Sequence, residues 1–111
     1  MESIKIILYA PSTGKQPFAD WLHKHDKNSQ ALVLARIARI RLGNFGDCKR
    51  IVGGNGLHEL RIDTGPGYRI YYGRVGETIV ILLVGGDKGS QSRDIEKAKQ
   101  YWLDAKEQNL D

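Results

Sequence analysis

Apolar residues change their spacing along the chain, and the changes mark out a strand, two helices, four strands and a last helix. From Glu2 to Tyr9, Ile4, Ile6 and Leu8 alternate with other residues, the period of a short strand, and Pro11 stops the pairing. Pro11-Ser12-Thr13-Gly14-Lys15 is a turn-rich loop. Pro17 suits the first position of a helix, where its missing N–H would be unpaired anyway. Phe18, Trp21, Leu22 and His25 then share one helical face. Asn28-Ser29 is the expected break. Ser29 is placed to cap a second helix from about Gln30 to Leu42, ended by a left-handed Gly43. A short link between two helices makes an αα-hairpin.

From Asp47 the period changes. Lys49–Val52, Leu57–Asp63, Tyr68–Val75 and Thr78–Val84 alternate or run apolar, and Gly-rich or two-residue connections separate them. Connections this short join neighbouring antiparallel strands. Ile79 to Val84 is almost continuously apolar, as a central strand covered on both faces would be. From about Ser92 to Gln108, Ile95, Ala98, Trp102 and Ala105 line one face of a third helix. The expected order is β-αα-ββββ-α, an α+β fold with a largely antiparallel sheet and helices packed on one face of it.

Composition narrows this only a little. The 111 residues suit one domain, 1–111, with one core large enough to fold without disulfides or a structural metal. A single cysteine, Cys48, excludes an internal disulfide and a cysteine-based zinc cluster, and suits a reducing cytosol. No apolar run approaches the roughly 18 residues of a membrane span, and Met1-Glu2-Ser3 lacks the basic start of a secretory signal, so a cytoplasmic protein is expected. Seventeen Lys and Arg against thirteen Asp and Glu give a net charge of +4, which permits nucleic-acid binding without requiring it.

The placement of the charge carries more. Strand alternation puts Glu59 and Arg61 on the face opposite Leu60 and Ile62, and Arg69 and Tyr71 on the face opposite Ile70. With Leu60, Ile62 and Ile70 in the core, Glu59, Arg61, Arg69 and Tyr71 are expected on an exposed sheet face. A tight hairpin around Gly65-Pro66-Gly67 brings Arg61 and Arg69 together, and two guanidiniums so placed suit a phosphate. Surface pairs, Arg61 with Glu59 or Arg69 with Asp63, are the plainer alternative. Beyond the fourth of these strands, Val84-Gly85-Gly86-Asp87-Lys88-Gly89-Ser90-Gln91 lets a ligand approach the backbone, or is a strand–helix turn capped by Ser90 or Ser92; it is not a nucleotide-loop motif. Arg36, Arg39 and Arg41 on the second helix, with Lys49 and Arg50 after it, form either a solvated flank or an RNA-docking surface. His23 and His25 stand two apart on a helix and cannot jointly bind a metal, and His58 is isolated. No metal or cofactor is expected.

At these residues the sequence resembles the RelE/ParE superfamily of toxins, in its HigB-like branch. The resemblance runs through Pro17–Leu22, Arg41–Asp47, Leu57–Ile62, Gly65–Tyr72 and Leu83–Lys88, nearly the whole chain in the right order. It implies the toxin half of a type II toxin–antitoxin pair, with a cognate antitoxin, often of helix-turn-helix type, as partner. RelE- and HigB-like members cleave messenger RNA on the ribosome without a metal. ParE-like members poison DNA gyrase, and a non-catalytic antitoxin-binding module is a third possibility. By the resemblance, Arg69 matches the phosphate-gripping arginine and Arg61 a basic position on the preceding strand, while Lys88 falls near a basic position after the last strand. Glu59 replaces a lysine, so it is either a general base beside Arg61 or the sign of a different constellation; Tyr71 is placed to meet a base. The tyrosine that RelE-type enzymes carry in the final helix has no counterpart, since Asp94 or Ile95 falls there.

Overall fold

A computed structural model of the chain describes residues 3–108, so the expected strand start at Glu2 lies outside the described residues. The elements are β1 (Lys5–Leu8), α1 (Pro17–His23), α2 (Lys27–Arg41), β2 (Cys48–Arg50), β3 (Leu57–Ile62), β4 (Tyr68–Val75), β5 (Ile79–Asp87) and α3 (Gln91–Glu107), with a 3-10 turn at Lys88–Ser90. The sheet order is β1-β5-β4-β3-β2. β1 runs parallel to β5 and every other neighbouring pair is antiparallel, giving the expected α+β class.

Local chemistry explains most boundaries. Pro17 opens α1. The cap of α2 is Asp26 rather than the expected Ser29. Asp26 has an extended backbone, and its carboxylate accepts a bond of 2.7 Å from the Ser29 N–H. Ser29 sits inside the first turn, and its hydroxyl accepts from the Tyr68 hydroxyl at 2.9 Å. At the other end Gly43 is left-handed (φ 89°); its N–H reaches Ile40 O at 2.8 Å and the Asn44 N–H reaches Arg39 O at 2.9 Å. These paired bonds close the helix as a C-terminal glycine is expected to.

The helices do not share one face of the sheet, and this corrects the expected layering. Phe18, Leu22, Val33, Ile37 and Ile40 of α1 and α2 pack on Leu60, Ile70, Tyr72, Val80 and Leu82. Ala98, Trp102 and Ala105 of α3 pack on Leu57, Tyr71, Ile81 and Leu83, the other side. The apolar run of β5 is what permits this, because it offers apolar side chains to both faces. A register shift between Tyr71 and Tyr72, paired with Val84 and Leu82, turns both Leu83 and Val84 towards α3. Trp102 anchors the helix: its Nε1 donates to Asn55 O at 2.9 Å, and its ring occupies the space that a side chain at Gly73 would fill. The face carrying Glu59, Arg69 and Tyr71 is therefore interior.

Candidate functional site

The pairing of β3 with β4 sets Arg61 opposite Arg69 and Glu59 opposite Tyr71, two adjacent rows on the α3 side of the sheet. The sequence parity was right, but the expected exposure was not, because α3 covers this face. Glu59 and Tyr71 are fully buried and Arg69 is 6% exposed. The Glu59 Oε2 accepts from Gln91 Nε2 at 2.7 Å, while Oε1 has no hydrogen-bond partner. The Tyr71 hydroxyl faces Glu59 without a bond of regular geometry. Burial first, then the Glu59 and Asp94 carboxylates, push its pKa well above the ordinary phenol value. The Arg69 Nη1 donates to Tyr68 O at 3.1 Å and lies 3.7 Å from Asp63 Oδ1, leaving Nε unpartnered. Asp94, also buried, accepts from the Ser90 hydroxyl and lies over Gly86.

Where the cluster meets solvent it is cationic. Arg61 is half-exposed, and its Nη2 and Nε bond Asp47 Oδ1 at 2.8 and 3.1 Å, so its partner is Asp47 rather than Glu59. A Cβ at Gly67 would lie 3.5 Å from Lys88 Cβ and 3.6 Å from Arg69 Nη1, which brings the root of the exposed Lys88 beside the Arg69 guanidinium. Arg61 and Lys88 thus stand on either side of Arg69 at one corner of the sheet, with Glu59 and Tyr71 one row behind. Both partner carboxylates are exposed, at 44% for Asp47 and 76% for Asp63, so an anionic ligand displaces them at small cost.

The Gly85-Gly86 pair is not a ligand loop. β5 runs straight through it; a side chain at Gly85 would overlap the Trp21 ring, and one at Gly86 the Asp94 carboxylate. The turn that follows is closed by Asp87, whose side chain accepts from the Ser90 N–H at 3.0 Å while the Ser90 hydroxyl meets the Asp87 N–H. An open groove of about 360 Å³ passes this end of β5, between Lys24 just beyond α1 and Arg93 and Lys97 on α3.

The second basic group is dispersed. Arg36 serves the fold, donating to Arg61 O at 3.0 Å and Phe45 O at 3.4 Å. Arg39 is exposed on α2. Lys49 and Arg50 are exposed on β2, but Lys49 pairs with Glu59 and Arg50 with His58, so they point to opposite faces. Sequence reasoning missed Gln91, Asp94 and Asp47. Asp94 had a signal, since residues 94, 98, 102 and 105 share a helical face as well as 95, 98, 102 and 105 do.

The model of the family described as "Phage derived protein Gp49-like (DUF891)" matches residues 20–102, a span that takes in every residue from Glu59 to Asp94. The chain belongs to the Gp49-like family. That family is of the RelE/ParE-like toxin type, as the resemblance implied, and such a toxin has an antitoxin as partner. An uncharacterized protein of Haemophilus influenzae is similar, with 47% identity over 83 residues, 74% of this chain and 82% of its own. Among the described residues no helix is long and apolar enough to cross a membrane, and no three His, Cys, Asp or Glu side chains gather as a metal site.

Proposed function

We propose that this Gp49-like chain is a cytoplasmic, HigB-like, ribosome-dependent mRNA endonuclease, neutralised by a cognate antitoxin of helix-turn-helix type. The observation that supports it is the pair of adjacent rows: Arg61 with Arg69 beside Lys88, and Glu59 with Tyr71 behind them. In the proposed reaction the Glu59 carboxylate takes the proton of a ribose 2′-OH, and the 2′-oxygen attacks the adjacent phosphorus. Arg69 and Arg61 hold the charge that develops on the phosphoryl oxygens. Lys88 gives a proton to the departing 5′-oxygen, leaving a 2′,3′-cyclic phosphate and a 5′-OH end. The Gln91 amide donates to Glu59, so in the proposed reaction that bond gives way before the carboxylate takes the proton.

The test is to incubate programmed ribosomes with the purified chain and map new 5′-OH ends. Lys88→Ala and Arg61→Ala, both at solvent-facing positions, are each expected to slow cleavage at least tenfold. If the unmodified chain produces no new ends on translating ribosomes, the nuclease fails. The full burial of Glu59 and Tyr71 favours one other function, a toxin that binds its target without cutting it. DNA gyrase is then the target to assay, through loss of supercoiling.

A further inference from the structure

Across the sheet from that corner lies a second group of side chains, which the endonuclease does not use. Arg50, His58 and Tyr72 stand directly opposite one another on β2, β3 and β4, on the side where α1 and α2 pack. Arg74, two residues after Tyr72, shares their face. The His58 ring stacks on Tyr72 with centroids 5.2 Å apart and planes 13° from parallel. Its Nδ1 lies 3.0 Å from Gly56 O. A carbonyl only accepts, so Nδ1 carries the hydrogen and Nε2 of the neutral ring presents a lone pair. No described side chain bonds that Nε2.

The arginines on either side differ from those at the corner. Arg61 and Arg69 each have an aspartate, whereas among the described residues neither Arg50 nor Arg74 pairs with a carboxylate. Arg74 is held in place nonetheless. Its guanidinium lies 4.4 Å over the Phe45 ring, Nη2 donates to Glu77 O at 3.4 Å, and Nε is buried without a partner. Burial lowers the His58 pKa; the Gly56 bond opposes this, and the charges of Arg74 and Arg50 add to it. Two unneutralised guanidiniums beside a neutral acceptor ask for an anion with a hydrogen-bond donor next to it.

We propose that Arg50, His58 and Arg74 form a second RNA-backbone site, in which the guanidiniums hold a phosphate and His58 Nε2 accepts from the neighbouring ribose 2′-OH. RNA carries that donor beside every phosphate, and DNA lacks it. An acidic peptide supplies carboxylates but no hydroxyl at this fixed spacing. The site breaks no bond, and it lies on the opposite face from the proposed endonuclease, so it goes beyond that function.

The experiment is equilibrium binding of the full chain to a short labelled single-stranded RNA and to DNA of the same sequence, over a range of salt. Arg50→Gln changes an exposed side chain, and His58→Phe keeps the stack on Tyr72 while removing the acceptor. Arg50→Gln is expected to weaken both polymers about tenfold, and to reduce the salt slope by about 0.7. His58→Phe should bring RNA affinity down to that for DNA and leave DNA binding unchanged. RNA affinity and slope equal to the unmodified chain in both variants overturn the site. So does displacement of the RNA by inorganic phosphate at matched phosphate concentration, or polyglutamate binding that Arg50→Gln weakens while RNA binding stays intact. Ribosomal cleavage lost in Lys88→Ala, with RNA affinity unmoved in Arg50→Gln and His58→Phe, sinks this site and leaves the endonuclease standing. RNA affinity lowered in Arg50→Gln and His58→Phe, with no new 5′-OH ends from the unmodified chain on ribosomes, upholds this site and removes the endonuclease.

Discussion

At Gly86 a methyl group would run into the Asp94 carboxylate, and at Gly85 into the Trp21 ring. The two glycines let α1 and α3 approach β5 from opposite sides at consecutive residues, and Asp94 comes close enough to raise the pKa of Tyr71. The obstacles are packed side chains, the Trp21 ring and the Asp94 carboxylate that the Ser90 hydroxyl holds, so added volume at either glycine has to displace them or the helix that carries them. Gly86→Ala is therefore expected to cost about 1–3 kcal/mol of stability, read from urea unfolding. Lys97→Ala, on the exposed side of α3, should stay within about 0.5 kcal/mol of the unmodified chain. Equal stability of Gly86→Ala and the unmodified chain would mean that the Asp94 carboxylate is not held fixed against β5.

At the scale of elements, α3 matters most, because it hides the candidate site. Trp102 is 3% exposed and binds the helix to the sheet through both its ring and its Nε1. Trp102→Ala should destabilise the chain by about 3–5 kcal/mol. It should also speed amide exchange at β3 and β4 residues 59–71 more than at β1, since α3 covers the former. Exchange that rises evenly across the sheet would show that α3 is not a separable cover. The face of α3 was legible in the sequence through Ala98, Trp102 and Ala105; the side of the sheet it takes was not. Alternation separates two faces without saying which is wet, and the charges of Glu59, Arg61 and Arg69 argued for water. The apolar run of β5 argued the other way and was right, because only a strand covered twice has use for it. Ser29 was read as a cap because serine caps well. Asp26, three residues before it, accepts a charge-assisted bond and holds the position. The pair of Arg69 with Asp63 was one of the plainer alternatives that strand parity offered, and it is present; the partner of Arg61, Asp47, comes from a loop that no strand period describes.

For the molecule as a whole, burial on both faces sets a window of pH. Tyr9, Tyr71 and Tyr72 all have pKa values raised chiefly by burial; the Tyr9 hydroxyl donates to Asp104, and Tyr72 faces the Cys48 thiol without a bond of regular geometry. Unfolded phenols ionise near pH 10, at about the ordinary value. Above that, the folded state holds more protons than the unfolded one, so stability present below about pH 10 is lost as pH climbs towards the folded values. His58 works at the acid end. Its folded pKa is depressed, so the unfolded chain takes the proton first as pH falls below about 6.5, and stability falls with it. Tyr72→Phe keeps the stack with His58 and removes a hydroxyl that has no regular partner. It should therefore unfold within about 1 kcal/mol of the unmodified chain at neutral pH, and lose less stability between about pH 10 and about pH 11. Tyr9→Phe should differ at neutral pH, because it breaks a bond to a carboxylate, a loss of about 1–2 kcal/mol. Urea unfolding across this range separates the two tyrosines: an alkaline loss in Tyr72→Phe as steep as in the unmodified chain would mean that the Tyr72 phenol titrates in water, and that the sheet is not closed on the α1–α2 side.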